Sequence, residues 1–198
     1  TIDPKALTVT ANNQTKTYDG NAYSGGNGVT ITGFAGSDDV TSLGGTLVYN
    51  GTSQGAKNAG PYTIDPSGYT SANYDISYTT GTLTIDPKAL TVTANDQTKT
   101  YDGNAYSGGN GVTITGFAGT DDVSSLGGTL VYSGTSQGAR NIGSSYSIIP
   151  SGYTTGNYSI TYSPGTLIIT PRTASLVVTP ADKVYGTPDP SFTGTLTG

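Results

Sequence analysis

At 198 residues and 20.0 kDa the chain has room for one or two domains, yet only 33% of it is apolar, 30 residues are Gly, and His, Cys, Met, Trp and Glu are all absent. That composition excludes disulfides and thiolate metal sites, leaves acid-base chemistry to Asp, Lys and Tyr, and favours strands over helices. The net charge of −5, with eight basic residues scattered singly, excludes a phosphate-neutralising patch and with it nucleic acid, and no run approaches the roughly 20 apolar residues that span a bilayer.

The chain is built on a repeat. Residues 1–60 match residues 84–143 at an offset of 83, with six differences: Asn13/Asp96, Ser37/Thr120, Thr41/Ser124, Asn50/Ser133, Lys57/Arg140 and Ala59/Ile142. Tyr62–Tyr69 then returns as Tyr146–Tyr153 at an offset of 84, so one residue has been inserted near Ser144 and Ser145. We therefore divide the chain into a first repeat at 1–86, a second at 87–170 and a truncated third beginning at 171. A chain that starts and stops inside units, without a signal peptide, reads as an excerpt of a longer protein.

Within a unit the first strand is predicted at Lys5–Ala11, where Leu7, Val9 and Ala11 share a face. Tyr18-Asp19-Gly20-Asn21 and Gly25-Gly26-Asn27-Gly28 read as turns, with Tyr23 in a loop between them. Val29–Phe34 alternates again and gives a second strand. Ser37–Leu43 carries the marks of one short helix: an N-cap serine, acids in the first turn and a Gly-Gly stop. Strands follow at Thr46–Tyr49, Pro61–Ile64, Asn73–Tyr78 and Gly81–Ile85. At the junction Leu83-Thr84-Ile85 runs through Asp86-Pro87 into Lys88 with no glycine, which predicts consecutive units held in a near-fixed orientation, end to end in an elongated rod.

Several residues are of types that could carry chemistry. Asp38-Asp39 and Asp121-Asp122 are the paired carboxylates, and their simplest role is at a helix terminus. Calcium-loop spacing is missing, which leaves a calcium ion held at unit junctions by Asp3, Asp86 and Asp65, or by loops that include Asp19 or Asp75, as the one cofactor possibility. Lys57 is Arg in the second unit, which argues against a Schiff-base role. A Lys-Asn isopeptide bond would pair Lys5 or Lys16 with Asn73. The Gly25–Gly28 run lacks the Lys-Ser/Thr ending of a phosphate loop, and the sequons at Asn13, Asn50 and Asn157 include two that are lost in the other copy. No catalytic, cofactor-binding or metal residue is assigned, and the chain is not expected to be an enzyme. Tyr23 and Tyr106, among Gly and Asn, are the tyrosines expected to be exposed enough to hold a sugar or polymer.

Lys5–Ala11, the Lys-Thr-Tyr-Asp-Gly of residues 16–20, the Gly-Ser-Asp-Asp-Val of residues 36–40 and Asn73–Ile85 occur together in order. With them the chain resembles the YDG-type repeats of large bacterial surface adhesins of the filamentous-haemagglutinin kind. The third unit, with Lys183-Val184-Tyr185-Gly186, is similar to the related MBG repeats. The resemblance implies an extracellular, cell-surface location, a stalk role with neighbouring repeats as partners, and no catalytic residues. It also implies a mostly β unit similar to the β-grasp, which the expected helix favours over the alternative, an immunoglobulin-like sandwich. A repeated glycan- or matrix-binding module acting by avidity is the competing function.

Overall fold

The computed structural model describes residues 1–198, except for the side chain of Ser144. The first repeat forms β1 (Lys5–Ala11), β2 (Gln14–Thr17), β3 (Val29–Thr32), β4 (Gly44–Asn50), β5 (Gly60–Thr70), β6 (Tyr74–Thr79) and β7 (Gly81–Asp86). The second repeats the series as β8 (Lys88–Ala94), β9 (Gln97–Thr100), β10 (Val112–Thr115), β11 (Gly127–Ser133), β12 (Gly143–Thr154), β13 (Tyr158–Ser163) and β14 (Gly165–Thr170). β15 (Ser175–Val178) and β16 (Gly194–Thr197) pair with each other.

In the first repeat one sheet has the order β3-β1-β6 and the other β2-β7-β5-β4. β1 runs parallel to β6, and β2 runs parallel to β7. The stretch from Lys5 to Thr17 thus follows the stretch from Tyr74 to Asp86 along most of its length, and both pass from one sheet to the other at a corner. Asparagines staff that corner, where the backbone ladder is interrupted. Asn12 donates to the Asn27 carbonyl and accepts from Thr30, while Asn13 Oδ1 accepts from the Thr82 amide at 2.8 Å. In the second repeat Asp96 Oδ1 accepts from the Thr166 amide, so the Asn13/Asp96 difference preserves the one oxygen the corner needs.

The alternation read from the sequence is the alternation of burial. Leu7, Val9 and Ala11 are buried from β1, Ile64 and Pro66 from β5, and Leu83 and Ile85 from β7. Where β4 meets β5 the pairing shifts register between Gly45 and Val48, and a Cβ on Gly68 (φ +100°) would sit 2.1 Å from the Thr46 carbonyl oxygen. Only glycine fits that approach. The residue inserted in the second repeat is absorbed in the same manner, as a register shift of β12 against β14 between Gly143 and Tyr146.

The expected helix is absent. Val40–Ser42 makes a single 3-10 turn that buries no residue, its N-cap is Asp39 rather than Ser37, and Leu43 is already extended. A turn with no apolar face has nothing to offset the cost of nucleating a helix, and Gly44 leads straight into β4. Seven strands in each full repeat, with no α-helix among the described residues, overturn the β-grasp expectation, which requires a helix packed on the sheet. The sandwich alternative fails on pairing, because immunoglobulin sheets are antiparallel whereas both sheets here contain a parallel pair.

The chain divides into two compact units that do not coincide with the sequence repeats. One comprises Thr1–Val92, Ile114–Thr129 and Gly152–Thr161; the other comprises Thr93–Thr113, Leu130–Ser151 and Tyr162–Gly198. The core of the first joins Ile64, Leu83 and Ile85 of the first repeat to Leu90, Ala118 and Tyr158 of the second. The second has its own core of Ala94, Ala139, Ile148, Leu167 and Ile169.

Candidate functional site

Inside the first compact unit lies the joint between consecutive repeats. Pro87 alone separates β7 from β8. Beside it the Lys16–Gly20 segment leaves β2, and the Tyr18 amide donates to the Asp86 carbonyl at 2.8 Å. This continues the β2/β7 pairing one residue past its last partners, Thr17 and Asp86.

The Tyr18 side chain is 7% exposed although its neighbours in sequence are polar. Its ring meets that of Tyr158 edge-on at 5.3 Å, and Phe117 packs edge-on against Tyr158 at 5.7 Å. The Tyr18 hydroxyl donates to Asp121 Oδ2 at 2.9 Å, and the Tyr158 hydroxyl donates to the same oxygen. The Ala118 amide in turn donates to the Tyr158 hydroxyl at 3.0 Å. Asn157 completes the contact: its Oδ1 accepts from the Ala59 amide at 2.9 Å and its Nδ2 donates to Asn58 Oδ1. Burial, reinforced by the hydrogen bond to Asp121, pushes the Tyr158 phenol up to about 12 and raises that of Tyr18. Phenols that hold their protons this firmly serve cohesion and are poor acids.

The paired carboxylates therefore divide their labour. Asp39 and Asp122 cap the 3-10 turns, each accepting from the amide two residues on, whereas Asp121 receives the two phenols. Asp38 repeats the second role in the first repeat, accepting from Tyr74 at 2.6 Å. Asp19 pairs with Lys16 at 2.8 Å and Asp102 pairs with Lys99, and these contacts hold both carboxyls at about 2. Asp3, Asp65, Asp75 and Asp86 are exposed, and among the described residues no three carboxylates converge into a metal cluster.

Other sequence candidates are placed just as plainly. Lys5 is exposed with its ammonium on the Phe34 carbonyl, and Lys16 is engaged by Asp19, so neither is buried with Asn73 for an isopeptide bond. Lys57 and Arg140 are exposed. The Gly25–Gly28 run is a packing feature: the Gln54 amide brackets the Gly25 backbone with two 2.8 Å bonds, and a Cβ on Gly26 would fall 2.4 Å from the Tyr49 ring. Tyr23 and Tyr106, expected in the open, are half-buried against the two cores, and burial raises both phenols. What sequence reasoning missed is Tyr18. Its signal was an aromatic recurring in a polar turn two residues after a lysine, at Tyr18, Tyr101 and Tyr185, where no local partner could bury it.

The fold and joint define a class: tandem all-β modules whose aromatic turn locks into the next module. The MBG domain (YGX type) family matches residues 7–84 and 90–168, and the chain belongs to that family as two tandem repeats. This agrees with the resemblance to tandem YDG- and MBG-type repeats, and it places the MBG pattern on the two full repeats. No curated protein matches the chain.

Proposed function

We propose that the chain is a stalk segment of a secreted bacterial surface adhesin, in which each repeat adds length between the cell and a binding tip. MBG domains are repeat modules of surface-associated proteins, which supports the setting. The observation that carries the mechanical role is the joint itself. A Gly-free strand-to-strand passage at Pro87, braced by Tyr18, Asp121 and Tyr158, ties one repeat to the next with a buried aromatic contact rather than a loose linker. The groups that would serve catalysis are committed elsewhere: the Asp pairs to caps and phenols, and Lys16 and Lys99 to ion pairs. The avidity reading loses the exposed Tyr23 and Tyr106 it relied on.

The test is immunogold labelling of intact source cells with antibodies raised against the chain, alongside binding of the chain to glycan and matrix arrays. Label on the outer surface with no array binding is expected. Label confined to the cell interior sinks the stalk reading, and saturable array binding replaces it with the binding-module reading.

A further inference from the structure

The sequence repeat and the hydrophobic core are out of phase. In the first repeat Ala11, Ala56, Ile64, Leu83 and Ile85 pack together, and their counterparts in the second repeat are Ala94, Ala139, Ile148, Leu167 and Ile169. The second repeat buries a further group, Leu90, Ala118 and Tyr158, which does not join the core of its own repeat. It extends the core of the first repeat instead, with Tyr18 between them and Ile114, Phe117, Leu126 and Ile160 half-buried at its margin. Leu90, Ala118 and Tyr158 lie in the middle of the chain, so this assignment reflects a choice between a repeat before them and a half-repeat after them.

The boundary of the compact units falls accordingly. It crosses β8 between Val92 and Thr93, β10 between Thr113 and Ile114, β11 between Thr129 and Leu130, β12 between Ser151 and Gly152, and β13 between Thr161 and Tyr162. The backbone ladder is interrupted at the same level. Pro150, fully buried in β12, has no N–H to give, and Gly152 takes a φ of +101°. A Cβ on Gly128 of β11 would fall 2.1 Å from the Gly152 carbonyl oxygen, so the two strands pass here through a glycine contact that no side chain reinforces. The joint between repeats is built the opposite way, from buried rings in edge-on contact and from Asp121 and Asn157 bonded across it.

We propose that the element of this array that opens and closes as one is a composite, the β2-β7-β5-β4 sheet of one repeat with the β10-β8-β13 sheet of the next, and that the chain yields inside a repeat, at the Pro150–Gly152 stretch, before it yields at a joint. The sequence repeat is then the unit of copying, and the composite is the unit of stability. Load or denaturant that opens β9, β14 and the first part of β12 leaves Tyr18, Asp121 and Tyr158 in contact. An array built this way lengthens by stages while consecutive repeats stay joined. The inference goes beyond the stalk reading and does not rest on it, since it follows from the cores alone.

Ile85 of β7 and Ile169 of β14 are equivalent residues, each 1% exposed, and they belong to different cores. Ile85→Val and Ile169→Val each remove one buried methylene, a change mild enough to leave the fold intact. Native-state hydrogen exchange of the full chain, read peptide by peptide in low urea, then shows which amides share an opening. In Ile85→Val the peptides covering 88–92 and 157–161 are expected to exchange about three- to tenfold faster than in the wild type, the scale on which one lost methylene acts. In Ile169→Val they are expected to keep the wild-type rate while the peptide covering 165–170 accelerates. The 157–161 peptide decides, because in sequence it lies close to Ile169 and far from Ile85. Acceleration of that peptide by Ile169→Val as great as by Ile85→Val overturns the proposal and makes the repeat, or the whole chain, the cooperative unit. An unchanged 157–161 rate in Ile85→Val overturns it equally, since the composite core would then not act as one.

Discussion

Tyr18 and Tyr101 stand in identical pentapeptides and differ only in what surrounds them. Truncating a buried aromatic costs about 3–5 kcal/mol, because the transfer energy of the ring is lost and a cavity is left. Tyr18→Ala would in addition leave Asp121 with one phenol donor where it now has two. We expect Tyr18→Ala to destabilise the protein by about that amount in urea unfolding, and Tyr101→Ala to stay within about 1 kcal/mol of wild type, as partly exposed surface positions do. Equal losses at the two sites would mean that the sequence-local turn, rather than the joint, is what tyrosine serves.

At the scale of elements, most strands are legible because a half-buried strand writes its alternation into the sequence, whereas β2, Gln14–Thr17, has only polar residues and leaves no apolar alternation to read. Leu7, Val9 and Ala11, and likewise Tyr74, Ile76 and Tyr78, fall on inward sides. The helix was misread because N-cap chemistry was present without a helix to cap. Asp39 satisfies the amide and hydroxyl of Thr41 within one turn, and a single turn needs no more. The joint was illegible because burying Tyr18 depends on Asp121 and Tyr158, more than 100 residues away in the chain. In the third unit Leu176, Val177, Val178 and Leu196 are 63–71% exposed on a two-stranded hairpin. Such a ribbon is marginal in water. Amides of β15 and β16 are therefore expected to exchange with solvent close to the unprotected rate while those of β7 and β14 are strongly protected. Protection of β15 comparable to that of β14 would show that something covers the hairpin.

For the molecule as a whole, stability in a tandem array is approximately a sum of repeat terms and neighbour terms, and the joint supplies the neighbour term. Its pH dependence follows from Tyr158, whose folded phenol is raised from 10.0 to about 12 by burial and the Asp121 hydrogen bond. A raised value means the folded state keeps a proton that the unfolded chain gives up. The contribution is complete below pH 10 and is lost as pH climbs through about 12. Asp19 and Asp102, lowered from 3.8 to about 2, act in the opposite sense: their contribution is present above pH 3.8 and fades as pH falls through about 2, and both lie on the exposed turns. Tyr18, Tyr23, Tyr74 and Tyr106 are raised as well, so the joint is read from the part of the alkaline limb that Tyr158 supplies. Stability measured by urea unfolding is expected to fall more steeply between pH 10 and 12 in the wild type than in Tyr158→Phe, which keeps the ring but has no proton to lose. In the same window the tyrosinate absorbance of the folded protein should lack its last-titrating component in that variant. Identical slopes for the two proteins would place the alkaline sensitivity outside the joint and remove the phenol-carboxylate contact as the element that couples one repeat to the next.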